Sequence, residues 1–198
     1  MQSENEYIGD DKFKKFLSHY ACPTKIEVVK MKFAGAVCSP NLDLRPTDVI
    51  SSLWPQNASP RLETKTEAEL FFKFFMGLWD DIYQKVYRNK FRLLPKETDN
   101  LEQYAHERAQ ELEEGYLEGF WGGQEDLKIP SYVAQILDSL SELTDVYESL
   151  AQKAHAQPKT KELKEALLHT DKMVEKSLSF IIENFVARRI EKFQQTVQ

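Results

Sequence analysis

The chain has 198 residues, 41% of them hydrophobic and 29% charged, with a formal net charge of −6. That length allows one sizeable core and demands no second, and the acidic balance disfavours the non-specific electrostatic binding of nucleic acid and anionic membranes. Only seven glycines are present. Together with long stretches of 3.6-residue period they predict an all-α protein, a single-domain orthogonal bundle of about six to eight helices.

The start, MQSENEYIGDD, lacks the basic residues and apolar run of a secretion signal, and no segment approaches the roughly 18 uninterrupted apolar residues of a membrane span. The expectation is a cytoplasmic protein with no membrane association. Residues 10–20 form a first helix with Phe13, Phe16, Leu17 and Tyr20 on one side, stopped by Pro23. Thr24 and Glu27 have the spacing of a capping box, which predicts a second helix over 25–37 that buries Val28, Met31 and Phe33. Cys22 and Cys38 form no CxxC pair, as suits a reducing compartment, and a disulfide between them stays open. Near a helix C-terminus, where the partial charge is negative, Cys38 reads as structural and not as a nucleophile.

Pro46 suits the first turn of a short third helix carrying Val49, Ile50, Leu53 and Trp54, ended by Pro55. Thr66 with Glu69 predicts the start of the most apolar helix, running to about Arg88. Its Leu70, Phe71, Phe74, Leu78, Ile82 and Val86 occupy one side, and Phe72, Phe75, Trp79 and Tyr83 widen it, so it is expected to have neighbours on several sides. Asp99 with Glu102 then opens the helix around which the chain is organised, Leu101 to Gly123. Leu101, Tyr104, Ala105, Leu112, Tyr116 and Phe120 form its apolar stripe, and Gly115 and Gly119 leave a notch for a neighbouring helix. Glu107, Glu111, Glu114 and Glu118 recur at four-, three- and four-residue steps and predict a charged outer face.

Pro130 and Ser131 begin a helix through Val133, Ile136, Leu137, Leu140, Leu143, Val146, Tyr147 and Leu150 that ends in HAQPKT around Pro158. The organisation is thus a core over 9–155 with a C-terminal piece over 159–198. That piece is either one long helix or two broken near His169 and Thr170; the lack of proline or glycine favours one. Ile182, Phe185 and Ile190 lie on it, and it can serve as a dimer arm.

An offset of 84 aligns Phe33 with Leu117, Gly35 with Gly119, Pro46 with Pro130, Val49 with Val133 and Leu53 with Leu137. Either two related helix-loop-helix units pack with pseudo-symmetry, or common helix punctuation has coincided. Charge is also unevenly spread. Ten acids lie between Glu97 and Asp126 against the single base Arg108, while Lys85, Arg88, Lys90, Arg92 and Lys96 form an uninterrupted basic run. Neighbouring elements usually pack together, so the two blocks are expected to face and partly neutralise each other; a phosphate-binding basic patch is the alternative.

Catalytic constellations are sparse. No Glu precedes a histidine by three residues, as a di-iron bundle would need, and HExxH, the phosphate-binding GxxxxGK and GxSxG are absent. Glu102 with His106 and Glu165 with His169 are four apart, a spacing that suits surface ion pairs better than a metal site, which takes three or four convergent ligands. No cofactor is expected. Tyr116, Phe120 and Trp121 beside the glycines read either as core or as the lining of a pocket between helices.

PTDVISSLW at 46–54 after Ser39-Pro40, the segment Leu78 to Ile82, the turn from Phe91 to Pro95 and the element from Tyr116 to Gly123 together resemble the YecA/YgfB-like proteins, a bacterial all-helical family. The similarity spans about residues 25–150 and rests on the combination. KFAGAV replaces the family's Gly-Phe-Leu signature, and Tyr116 stands where its tryptophan precedes Gly-Phe. With no cysteine after Cys38 the chain cannot form the zinc-binding tail of some relatives. The resemblance implies a helical cytoplasmic protein without an established enzymatic activity.

The functional expectation is a non-enzymatic interaction or regulatory module that meets an unknown protein partner through Glu107, Glu111, Glu114, Glu118 and Trp121. An enzyme or metal-dependent hydrolase in an interhelical cleft is the alternative.

Overall fold

The computed structural model describes residues 6–41, 43–55, 58–95, 99–124, 126–157 and 160–188, and every regular element among them is helical. In chain order these are α1 (Asp10–His19), α2 (Ile26–Cys38), α3 (Pro46–Ser51), α4 (Lys65–Tyr87), α5 (Leu101–Gln110), a π-helical stretch (Glu111–Leu117), α6 (Glu118–Trp121), α7 (Ser131–Ala156) and α8 (Lys161–Ile181) followed by a second π stretch (Ile182–Val186). One contiguous apolar core joins them, as the sequence predicts for a helical bundle.

The axis of that core is α2. Every residue of it except Glu27 is buried, including Lys30 and Lys32. Both lysines run their methylene stems along apolar neighbours and place the ammonium on a carboxylate, Lys30 on Asp10 at 2.6 Å and Lys32 on Glu118 at 2.8 Å. The expected capping box at Thr24 does not form. Thr24 Oγ1 instead donates to Leu53 O across the fold at 2.9 Å, and Glu27 pairs with Lys14.

Helix starts elsewhere lie close to the expected ones. Pro46 opens α3, with the Arg45 N–H donating to Asp48 Oδ2. The cap of α4 is Thr64, which accepts from Glu67 N, two residues before the predicted pair, and the cap of α5 is Asn100 rather than Asp99. α8 is continuous through His169 and Thr170; Pro158 and Ile190 lie outside the described residues.

Burial on α4 is narrower than its composition suggests. Phe71, Phe75, Leu78, Ile82 and Val86 face the core, while Leu70, Phe72 and Tyr83 are exposed. α1, α2, the Trp54 segment after α3 and the second π stretch do pack around it, so the aromatic run overstated the width of the buried face and not the presence of several neighbours. Val146, expected in the core, is exposed on α7. Ile182 is buried within its own chain, which corrects its expected role in a dimer arm.

α5, the π stretch and α6 form one continuous rod over 101–121, ended by Gly122 in the left-handed region at φ 55°. This central rod crosses α2 at two glycines. A Cβ on Gly35 would lie 2.1 Å from Tyr116 O, and one on Gly119 would lie 2.1 Å from Lys32 O. Gly35 and Gly119 are 84 residues apart, and so are Lys32 and Tyr116. The offset therefore maps the contact onto itself, as a pseudo-twofold crossing of two related helices does. Phe33 and Leu117, Val49 and Val133, and Leu53 and Leu137 are likewise buried pairwise.

Neither glycine has room for a methyl group. Gly119→Ala and Gly35→Ala each force two backbones apart and are expected to cost about 2 kcal/mol or more in urea unfolding, whereas Gly123→Ala, with open space around it, costs only what its φ of 76° imposes. Equal midpoints for Gly119→Ala and the wild type would show that the helices do not touch there.

Candidate functional site

Arg108 falls in the middle of the apolar stripe of the central rod, between Tyr104 and Leu112. Its side chain is 3% exposed, and a buried guanidinium demands counter-charges. Glu111, one turn on, supplies the first: Arg108 Nη1 donates to Glu111 Oε2 at 2.7 Å. Arg108 Nη2 donates to Leu94 O at 2.7 Å and to Asp171 Oδ2 of α8 at 3.2 Å. Two phenols complete Asp171, Tyr104 donating to Oδ2 and Tyr147 of α7 to Oδ1, both at 2.5 Å. Three helices and one loop are thus tied to a single guanidinium.

Burial works against the charge of Arg108, but Glu111 and Asp171 outweigh it and hold the guanidinium more firmly protonated than usual. Burial and then the Asp171 hydrogen bond push the Tyr104 phenol up to about 12; burial and the Asp171 charge raise Tyr147 as well. Tyr116, wholly buried, is raised by burial and then by Cys38. Burial also pushes up the thiol of Cys22. Both cysteines are free, so the open disulfide between them does not form.

The expected acidic face divides at this network. Glu111 is 1% exposed and belongs to the interior, which corrects its assignment to an outer surface. On a helical wheel it adjoins Tyr104 at the edge of the apolar stripe, and Arg108 draws it inward. The other carboxylates stay outside. Glu107 pairs with Lys25 at 3.1 Å and Glu118 with Lys32, while Glu113 and Glu114 are exposed. Glu107, Glu111 and Glu118 are therefore neutralised by Lys25, Arg108 and Lys32. Of the basic run, Lys85 pairs with Asp81, Arg92 donates to Asn89 O and Phe91 O, and Arg88 and Lys90 are exposed; Lys96 lies outside the described residues.

The histidines also choose partners across helices and not along them. His106 pairs with Glu148 of α7 at 3.0 Å, and His155 of α7 pairs with Glu102 at 3.1 Å, which corrects the expected Glu102–His106 pair. Glu165 pairs with Lys161. Among the described residues no group of three or more His, Cys, Asp or Glu is arranged to hold a metal ion.

Hollows among the described residues flank the rod. One, of about 1090 Å³, lies between α5 and α8 beside Arg108 and Asp171. A second, of about 720 Å³, is bounded by Glu102, Glu107, Glu113, Glu114 and Glu148, with Lys25 and His106. The third, of about 700 Å³, shares Glu113 with the second and adds Asp48, Glu118, Asp138 and the half-buried Trp121. Tyr116 and Phe120 are core. The sequence reading missed Glu113, Glu148 and Asp138, because α7 contributes two of them and only packing brings α7 beside the rod. It missed the buried Arg108–Glu111 pair as well, although a lone base inside an apolar stripe is the signal that could have found it.

Neither the family models nor the curated proteins nor the solved structures contain a match to this chain.

Removing the guanidinium strands two carboxylates. Arg108→Ala is expected to cost about 3–5 kcal/mol in urea unfolding, and Arg108→Met combined with Glu111→Leu to cost less than Arg108→Met alone; equal costs would show that the two do not share a charge balance. Tyr104, whose phenol is raised in the fold, contributes stability that is complete below pH 10, the ordinary phenol value, and is lost as pH rises through about 12. The gap in thermal midpoint between wild type and Tyr104→Phe should therefore shrink over that range. A constant gap would remove the Asp171 hydrogen bond from the account.

Proposed function

We propose that this protein is a non-enzymatic interaction module that captures a basic segment of a protein partner on the outer carboxylates of its central rod. The observation that carries the reading is the pair of hollows sharing Glu113. Around them stand eight carboxylates from α3, α5, the π stretch, α6 and α7, against Lys25 and Lys32, each already matched to a glutamate. A surplus of one sign over adjoining concavities attracts and orients an oppositely charged ligand. Trp121 in the third hollow offers the amphipathic ring that interfaces favour.

Two further points support a binding role. The buried polar groups of the rod are spent on one another, since Arg108, Glu111, Asp171, Tyr104 and Tyr147 satisfy a structural balance and leave no histidine among them. The motif resemblance to YecA/YgfB-like proteins, for which no catalytic activity is implied, points the same way. Of the residues expected at the surface we retain Glu107, Glu114, Glu118 and Trp121, replace Glu111 with Glu113, and set the basic residues Lys85, Arg88, Lys90 and Arg92 aside.

Glu113→Lys with Glu114→Lys changes two exposed side chains and leaves the buried network intact. Capture of partners from a lysate of the source cells should fall by at least about tenfold, and wild-type capture should weaken as salt rises, because such contacts are screened. Salt-insensitive capture by wild type and double variant alike would overturn the proposal. Glu111→Lys is unsuitable for this purpose, since it buries a lysine against Arg108 and reports on folding.

A further inference from the structure

Besides its core face, α4 carries a second apolar stripe on the side that the fold leaves open. Phe72, Tyr83 and Tyr87 are 39%, 41% and 50% exposed, and the half-buried Met76 lies between them. Steps of four, seven and four residues keep these side chains on one strip of the helix. Tyr83 and Tyr87 stack on each other at 6.3 Å. No residue of α4 lines either acidic hollow or the hollow beside Arg108, so this face is separate from them.

One edge of the stripe carries Lys73 and Asp80, two turns apart and so separated by roughly 10 Å of helical rise, too far to pair with each other. Lys65 with Glu69 and Asp81 with Lys85 do pair within the same helix. Among the described residues the side chains of Lys73 and Asp80 have no ion-pair or hydrogen-bond partner. Asp80 is half-buried, and burial alone pushes its carboxyl up. A carboxylate drawn part of the way out of water is here left without the cation that would offset that burial.

A second copy of the chain supplies both partners. Two α4 helices laid antiparallel across a twofold axis bring the same edge of each side by side, so Lys73 of one copy meets Asp80 of the other, twice. That register sets the axis between Met76 and Gly77, and Met76 is the middle residue of the 23 in α4. Charge pairing and end-to-end overlap of the helices therefore select one arrangement. Met76, a deformable side chain, then meets its own copy near the axis, and Phe72 falls beside Tyr83 of the other copy. Parallel pairing would instead set Lys73 on Lys73 and Asp80 on Asp80. An anionic membrane surface suits the face less well, because Asp80 borders it and the chain carries a net charge of −6.

We propose that this protein forms a homodimer through the outer face of α4, closed over Phe72, Met76, Tyr83 and Tyr87 and fixed in register by two Lys73–Asp80 pairs. The contact uses neither acidic hollow and does not rest on the capture of a basic partner.

Sedimentation equilibrium of the full chain tests the assignment. Wild type is expected to pass from one chain to two within about 1–200 µM. Lys73→Asp and Asp80→Lys each set like charges against each other twice and should each weaken self-association by at least about tenfold. An equimolar mixture of those two variants should associate within about threefold of wild type, since every charge contact between the two kinds of chain is again opposite in sign. Misfolded chains would not recover on mixing, so lost contact is separated from lost fold. Phe72→Ser with Tyr83→Ser should leave a monomer throughout the range. A wild type that stays monomeric overturns the proposal, even where a different protein or a lipid covers the face. A dimer indifferent to these substitutions overturns it too, as does a mixture that fails to recover. None of the substituted positions lines an acidic hollow, so capture of a basic partner by these variants stays at the wild-type level and the two proposals fail separately.

Discussion

The contact on which the rest of this structure depends is the backbone-to-backbone crossing of α2 with the central rod. Glycine at 35 and at 119 removes the side chains that would otherwise hold the two helices apart, and Gly115 does the same where Met31 presses in. Closeness there lets α2 bury nearly its whole circumference. A helix so enclosed has to dispose of its two lysines, and it does so by length: each stem spans the apolar layer and delivers its charge to an acid at the edge, Asp10 on one side and Glu118 on the other. Because the crossing is reciprocal under the 84-residue offset, the same small-residue device serves both helices.

A second constraint is electrical. One guanidinium inside the core holds α5, α7, α8 and the loop at Leu94 in fixed register, through Glu111, Asp171 and the two tyrosines that complete Asp171. Desolvation makes such a cluster costly to assemble and more costly to break, so its value lies in specifying one arrangement of helices more than in adding stability. It also shapes the surface, because drawing Glu111 inward leaves Glu113 and Glu114 outside.

By itself the sequence determined the class of fold, nearly all helix limits and the notch at Gly115 and Gly119, because these follow from local periodicity, from proline and glycine at helix ends, and from the absence of a side chain. Periodicity also placed Ile182 and Phe185 on an apolar face without saying whether that face met the chain's own core, and it made α4 look more enclosed than it is. Capping pairs were recognisable as a type but slipped by one or two residues at α4 and α5, since several acceptors stood close enough to compete. What only the tertiary structure decided was the partner of each charge. Spacing along one helix suggested Glu102 with His106 and a continuous outer face through Glu111, yet the histidines bond to α7 and Glu111 turns to Arg108. An ion pair is chosen by distance in space and by how far each group is removed from water, and neither quantity exists until α7 and α8 have packed against the rod.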